Sequence, residues 1–146
     1  MNELSWTAVE DLVLAALQAQ LGDAVKTLKS YQGNWQEDLR REGWRLPAVL
    51  VGLEESRTEQ VGPSSYDLTL NLRILVMVRS LRGEDAARRA PGGVYSLLAG
   101  IRQALWHQDW GQPMLPLALV GEEPLLNSQE HTVYAALYRT ALVQDF

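Results

Sequence analysis

Tyr66-Asp67-Leu68-Thr69-Leu70-Asn71-Leu72-Arg73-Ile74-Leu75-Val76-Met77-Val78-Arg79-Ser80 alternates along most of its length. Tyr66, Leu68, Leu70, Leu72, Ile74, Val76 and Val78 share one parity. Asp67, Thr69, Asn71 and Arg73 share the other, until Leu75 and Met77 make the far end apolar on both sides. Strict alternation marks a strand with one buried face. Strands commonly run about five or six residues. This one would span roughly 45 Å at about 3.3 Å per residue. It exceeds what one core needs, so a further partner is expected for its surplus length.

Outward from that strand, the remaining elements follow from periodicity and punctuation. Thr7-Ala8-Val9-Glu10 reads as a capping box, with Thr7 as the cap. Val9, Leu12, Val13, Ala16, Leu17 and Leu21 then repeat at helical spacing, and Gly22 stops the helix. Ala24 to Tyr31 predicts a first strand, placed at an edge by its lysines. Asn34 with Glu37 opens a short helix to about Arg41, with Trp35 and Leu39 facing inward. Gly43 and Pro47 close it. Ala48 to Leu53 is a buried strand, and polar Glu54 to Ser65 is expected to be a mobile hairpin tip.

Beyond the long strand, Pro91-Gly92-Gly93 breaks any helix begun after Gly83. Val94, Leu97, Leu98, Ile101 and Leu105 make a clean helical stripe. Leu115 to Val120 reads as a short edge strand, held there by Pro113 and Pro116. Gly121 to Glu130 reads as a polar turn region. Thr132 to Val143 is apolar on both faces and therefore central. The whole chain, residues 1–146, reads as one α+β domain. Its expected form is a single mostly antiparallel sheet with two main helices packed on it.

The chain has no cysteine, so disulfides and thiolate metal sites are excluded. The start, Met1-Asn2-Glu3-Leu4-Ser5, lacks a basic region and a signal-like apolar core. A soluble cytosolic protein is expected, with no membrane contact. The net charge of −5 argues against nucleic-acid binding. Lys26 and Lys29 are the only lysines; the other cations are arginines. Arginine is favoured at interfaces, and it is also what a GC-rich genome encodes.

Catalytic patterns are not found. His107 and His131 fall on different elements with no second ligand at metal spacing. Glu54-Glu55 and Glu122-Glu123 are carboxylate pairs that read as solvated. Gly92-Gly93 opens a helix but lacks the phosphate-loop lysine. No catalytic residue, cofactor or metal site is therefore assigned. The one charge constellation is Arg73, Arg79, Arg82, Arg88 and Arg89, with acidic counterparts at Glu37, Asp38, Glu54, Glu55, Glu59, Glu84 and Asp85. Two readings stand beside each other: intrachain pairs worth about 0–1 kcal/mol each, or a subunit contact joining a basic patch to an acidic loop.

Several strings point to one family. They are Ser30-Tyr31 with Gly33, Arg45-Leu46-Pro47-Ala48-Val49-Leu50-Val51, Val78-Arg79-Ser80-Leu81-Arg82, and Gly93-Val94-Tyr95-Ser96-Leu97-Leu98. In their order and spacing the chain resembles the small tail proteins of Mu-like phages and prophages, which look like tail terminators. The resemblance implies an assembly protein rather than an enzyme. It implies a hexameric ring on the head-proximal end of the tail tube that stops tube growth. Its implied partners are other copies of itself, the tail tube protein, a neck or head-completion protein and, in a contractile tail, the last sheath ring. Its implied location is the virion tail, after assembly in the host cytoplasm. Two alternatives remain open: another head–tail joining protein, and a small enzyme of ferredoxin-like shape with its site at a subunit boundary.

Overall fold

Ser65–Arg79 forms a single strand of 15 residues, as the alternation predicts. The computed structural model describes residues 4–41 and 43–145, and only the backbone of Glu55, Gln144 and Asp145. Met1-Asn2-Glu3, part of the expected leaderless start, lies outside the described residues. The elements are α1 (Trp6–Leu21), β1 (Thr27–Ser30), α2 (Trp35–Arg40), β2 (Ala48–Gln60), β3 (Ser65–Arg79), α3 (Glu84–Arg89), α4 (Val94–Leu105), β4 (Ala118–Asn127) and β5 (His131–Asp145). The five strands make one sheet in the order β1-β2-β3-β5-β4. β1 runs parallel to β2, and the other neighbouring pairs are antiparallel. The fold is the expected α+β sheet with both long helices on it.

The surplus length of β3 is met inside the chain. Every residue from Ser65 to Arg79 pairs with β5, and Tyr66 to Met77 pair with β2. The further partner that the surplus length calls for is thus supplied by its own two neighbours, which are nearly as long. The helices, however, cover only part of it. Val9, Val13 and Leu17 of α1 and Leu97, Ile101 and Leu105 of α4 pack on the face bearing Val49, Val51, Leu72, Ile74, Val76 and Tyr138. On the opposite face, Trp35 and Leu39 of α2, with Trp44, cover Leu50, Leu75, Met77, Val133 and Ala135. This explains why β3 turns apolar on both sides at Leu75. From there to Met77 it lies between two layers, whereas Arg73 is half-buried and Glu54 is its ion-pair partner.

Local signals set the element ends, with three corrections. The cap of α1 is Ser5, whose Oγ accepts from the Ala8 amide at 3.1 Å, and not Thr7. Capping two residues earlier adds Trp6 and Thr7 to the helix. It also releases Glu10, which accepts a 3.0 Å hydrogen bond from Ser30 Oγ and ties α1 to β1. Asn34 caps α2 as expected, accepting from the Glu37 amide.

The second correction concerns Glu54 to Ser65. β2 continues to Gln60 through a bulge between Leu53 and Glu55, and the turn is only Val61 to Ser64. Val61 and Gly62 amides both donate to the Ser65 carbonyl, at 2.9 and 3.2 Å. The polar composition reflects a ribbon with no layer over it, not an absence of strand. Third, β4 extends through Gly121 to Asn127, where a turn region was expected. Bulges at Leu119/Gly121 and Pro124/Leu126 absorb the glycine and proline, which an edge strand tolerates. Residues 115–117 instead run beside β5, with the Leu115 amide on the Ala141 carbonyl at 2.9 Å.

One close approach fixes where the outer edge of β2 is covered. The chain leaving β1 lies across Gly52, so a Cβ there would sit 2.7 Å from the Tyr31 carbonyl oxygen. The Tyr31 amide donates to Val51 O at 2.9 Å, and Gln32 Nε2 donates to Leu53 O. Beyond Leu53 that edge has no neighbouring strand among the described residues. Gly52→Ala is expected to push this crossing chain off β2 and to cost about 1–3 kcal/mol. Urea unfolding measures it, and an unchanged midpoint would show that the crossing yields freely.

Candidate functional site

The two ends of β3 carry different chemistry. At its start, β2 and β3 project with β5 as an arm past the helical layer. None of residues 54–67 with a described side chain is buried. Four acidic residues and one basic residue lie in that segment. Glu59 and Asp67 stand directly opposite each other across the strands. At the turn, Val61 is 55% exposed, and Val143 of β5 is 53% exposed. These two valines are apolar surface that the arm does not cover.

At the other end, β3 leaves the sheet at Arg79. A cleft of about 220 Å3 opens there between the strand and α3. Its floor is apolar, made by Pro47, Val78, Ala87, Ala90 and Pro91, and its rim carries Arg79, Leu81 and Arg82. Leu81 is 84% exposed. Arg79, Arg82 and Arg89 are exposed and make no ion pair with a described residue. The two ends lie roughly 45 Å apart at about 3.3 Å per residue.

The structure therefore divides the arginine constellation. Arg73 pairs with Glu54 at 3.1 Å, both partly exposed, which fits the intrachain reading. Arg88 is held within α3 by Glu84 at 3.5 Å and Asp85 at 2.9 Å. Arg79, Arg82 and Arg89 remain as an uncommitted basic group. Glu59 is exposed near the tip of the arm, while the side chain of Glu55 lies outside the described residues. Sequence reasoning missed Val61 and Leu81. Their signal is an apolar residue inside a polar turn, and it acquires meaning only once the cleft and the arm tip are formed.

The carboxylate pairs do not converge. Glu54 holds Arg73, whereas Glu122 takes Arg102 of α4 at 2.6 and 2.8 Å. Ser128 Oγ donates to the His131 carbonyl and accepts from the Glu130 and His131 amides, so it is spent on its own turn. His107 stacks on Trp106 at 5.2 Å. Among the described residues no three His, Cys, Asp or Glu side chains are grouped to hold a metal. At Gly92-Gly93, the Gly93 amide already donates to Ala90 O at 2.8 Å, and neighbouring carbonyls crowd the helix start. An anion there would meet oxygens.

A groove of about 220 Å3 separates the two ends and is lined by Tyr31, Gln32, Glu54 and Arg73. Tyr31 packs edge-on against Trp44 at 5.0 Å and donates to Asp38 of α2. Burial, then the bond to Asp38, pushes the phenol up to about 12. The folded state thus favours the neutral phenol, and this stabilisation is complete below the ordinary value of about 10. It is lost as pH rises from 10 to about 12. Alkaline denaturation should show a step in that window, and Tyr31→Phe should flatten it. A variant with the parent's alkaline profile would assign the step to other groups.

Comparison with known families now bears on these two ends. The family described as Bacteriophage Mu, Gp37 matches residues 5–143. The chain belongs to this family. It is accordingly a phage structural protein, a component of the virion, in agreement with the resemblance carried by the strings from Ser30 to Leu98. Among curated proteins none matches the chain. No described helix is long and apolar enough to cross a membrane. The arm and the basic cleft are both built from groups that the described residues of the subunit leave uncovered.

Proposed function

We propose that the chain is a tail terminator. It forms a ring, hexameric by the family resemblance, on the head-proximal end of the tail tube, where it stops tube polymerisation. The same ring offers a surface to the neck or head-completion protein and, in a contractile tail, to the last sheath ring. The observation that carries this reading is the unlikeness of the two ends of the sheet. A ring uses heterologous contacts, in which one patch meets a different patch on the next copy. A two-fold dimer would need one self-complementary patch instead. The exposed acidic arm and the basic cleft supply two patches of opposite sign.

The test is to image tails made with and without the protein. Tubes grown from purified tube protein should stop lengthening when it is added, and images of their ends should show a ring of six copies. Tails made without it should exceed the normal length. Tails of normal length in its absence, with the protein found at the neck alone, would instead make it a different head–tail joining protein.

A further inference from the structure

We propose that the arm tip of one copy inserts into the Arg79–Arg82 cleft of the next copy. This inference rests on the ring reading above and names the contact that builds it. Three observations on the subunit lead to it. Glu59 and Asp67 lie directly opposite each other near the tip. Like charges facing across two strands are unfavourable by themselves. With Glu54 held by Arg73, the arm keeps Glu55, Glu59 and Asp67 against the single basic residue Arg57, a net excess of negative charge. The second observation is the complement at the far end of β3. Arg79 and Arg82 flank the cleft and have no ion pair with a described residue. Two guanidinium groups match two carboxylates, and arginine binds carboxylates with a planar, bidentate fork.

The third is shape and polarity. Val61 projects at the tip, 55% exposed, and the cleft floor of Val78, Ala87 and Ala90 is apolar. Seating the valine would remove both surfaces from water, with Leu81 closing over it. Apolar contact at the centre with charged pairs at the rim is the usual anatomy of a protein interface. The occupant is a second copy of this chain because the tip and the cleft match in both charge sign and polarity. Placing them at opposite ends of one strand prevents a subunit from satisfying itself. The contact is head-to-tail, so each added copy leaves one tip and one cleft open until the ring closes.

Complementary charge reversal tests this. One variant carries Arg79→Glu and Arg82→Glu, so its arm and cleft are both acidic. The other carries Glu59→Arg and Asp67→Arg, so both are basic. Glu59, Arg79 and Arg82 are exposed and Asp67 is half-buried, and thermal unfolding checks that each variant folds. In sedimentation, each variant alone should associate at least about tenfold more weakly than the parent. An equimolar mixture should recover assembly with the two chains alternating, which native mass spectrometry can count. Because the chain has no cysteine, Val61→Cys combined with Ala90→Cys gives a second measurement. Oxidation should yield a ladder of linked copies, whereas each single cysteine should yield at most a pair. The proposal is overturned if either variant assembles like the parent, if the mixture stays dissociated, or if no ladder forms. Tube capping is scored separately. Restored assembly that fails to stop tube growth would keep the contact and remove the terminator role; capping by rings indifferent to the charge changes would do the reverse.

Discussion

Replacing Ile74 with alanine is expected to lower the unfolding free energy by about 3–4 kcal/mol. Ile74 sits at the centre of β3, opposite Val51 on one side and Ala136 on the other, and all three are fully buried. Its side chain lies in the core cluster that includes α1 and α4, in a layer with no solvent into which the site could relax. Removing three carbons there forfeits the burial of those atoms and leaves a cavity between two sheet neighbours and a helix. The same change at Leu68, only partly buried on the arm, should cost no more than about 1 kcal/mol. Urea unfolding of the two variants gives the comparison. Domains of this kind are stable by about 5–15 kcal/mol, so the Ile74 variant loses a large share. Equal losses at both sites would mean that the arm belongs to the same cooperative core.

Shortening the arm should abolish tube capping while leaving a folded subunit. Arg57 and Thr69 are cross-strand partners, so an Asn-Gly turn can join them in place of residues 58–68. The deletion removes Glu59, Val61 and Asp67 but none of the fully buried side chains. Its expected cost is about 1–2 kcal/mol, chiefly from Leu68 and from the lost pairing of the β5 end. Circular dichroism and a cooperative thermal transition would establish that the shortened chain folds. Added to growing tubes, it should fail to limit their length, since the surface proposed to meet the next copy is gone. Normal capping by a folded, shortened chain would take the arm out of the mechanism and leave the arginine end as the contact. Failure to fold would show that the arm contributes to the core, against the burial pattern.

Much of the fold can be read from residue order because each element declares itself locally. The period-two pattern of β3, the stripe from Val94 to Leu105 and the Asn34 cap all depend on neighbours within a few residues. The central position of β5 follows from its two apolar faces, since only a strand covered on both sides tolerates them. Two strand extensions were illegible for a shared reason. Residues 54–60 are polar and 121–124 are Gly-Glu-Glu-Pro, and such stretches read as loop when no burial is recorded in the sequence. Pairing with β3 and β5 supplies their order through backbone hydrogen bonds, which any side chain permits.

The candidate site divides in the same way. By itself the sequence determined that arginines cluster from Arg73 to Arg89 and that acids cluster from Glu54 to Glu59. Charge and composition are local properties, so they survive without coordinates. Tertiary structure alone decided which of those charges are already used. It brought Glu54 to Arg73 across a β-bulge, and it turned Glu84 and Asp85 back on Arg88 through one helical turn. What remained, Arg79 and Arg82 over an apolar cleft and Glu59 and Asp67 near a valine tip, was set by register and strand length. A one-residue slip would exchange the faces of β3 and dissolve both surfaces. The physical reason is that an ion pair forms over a few ångströms in space, and only the folded sheet fixes which distant residues come that close.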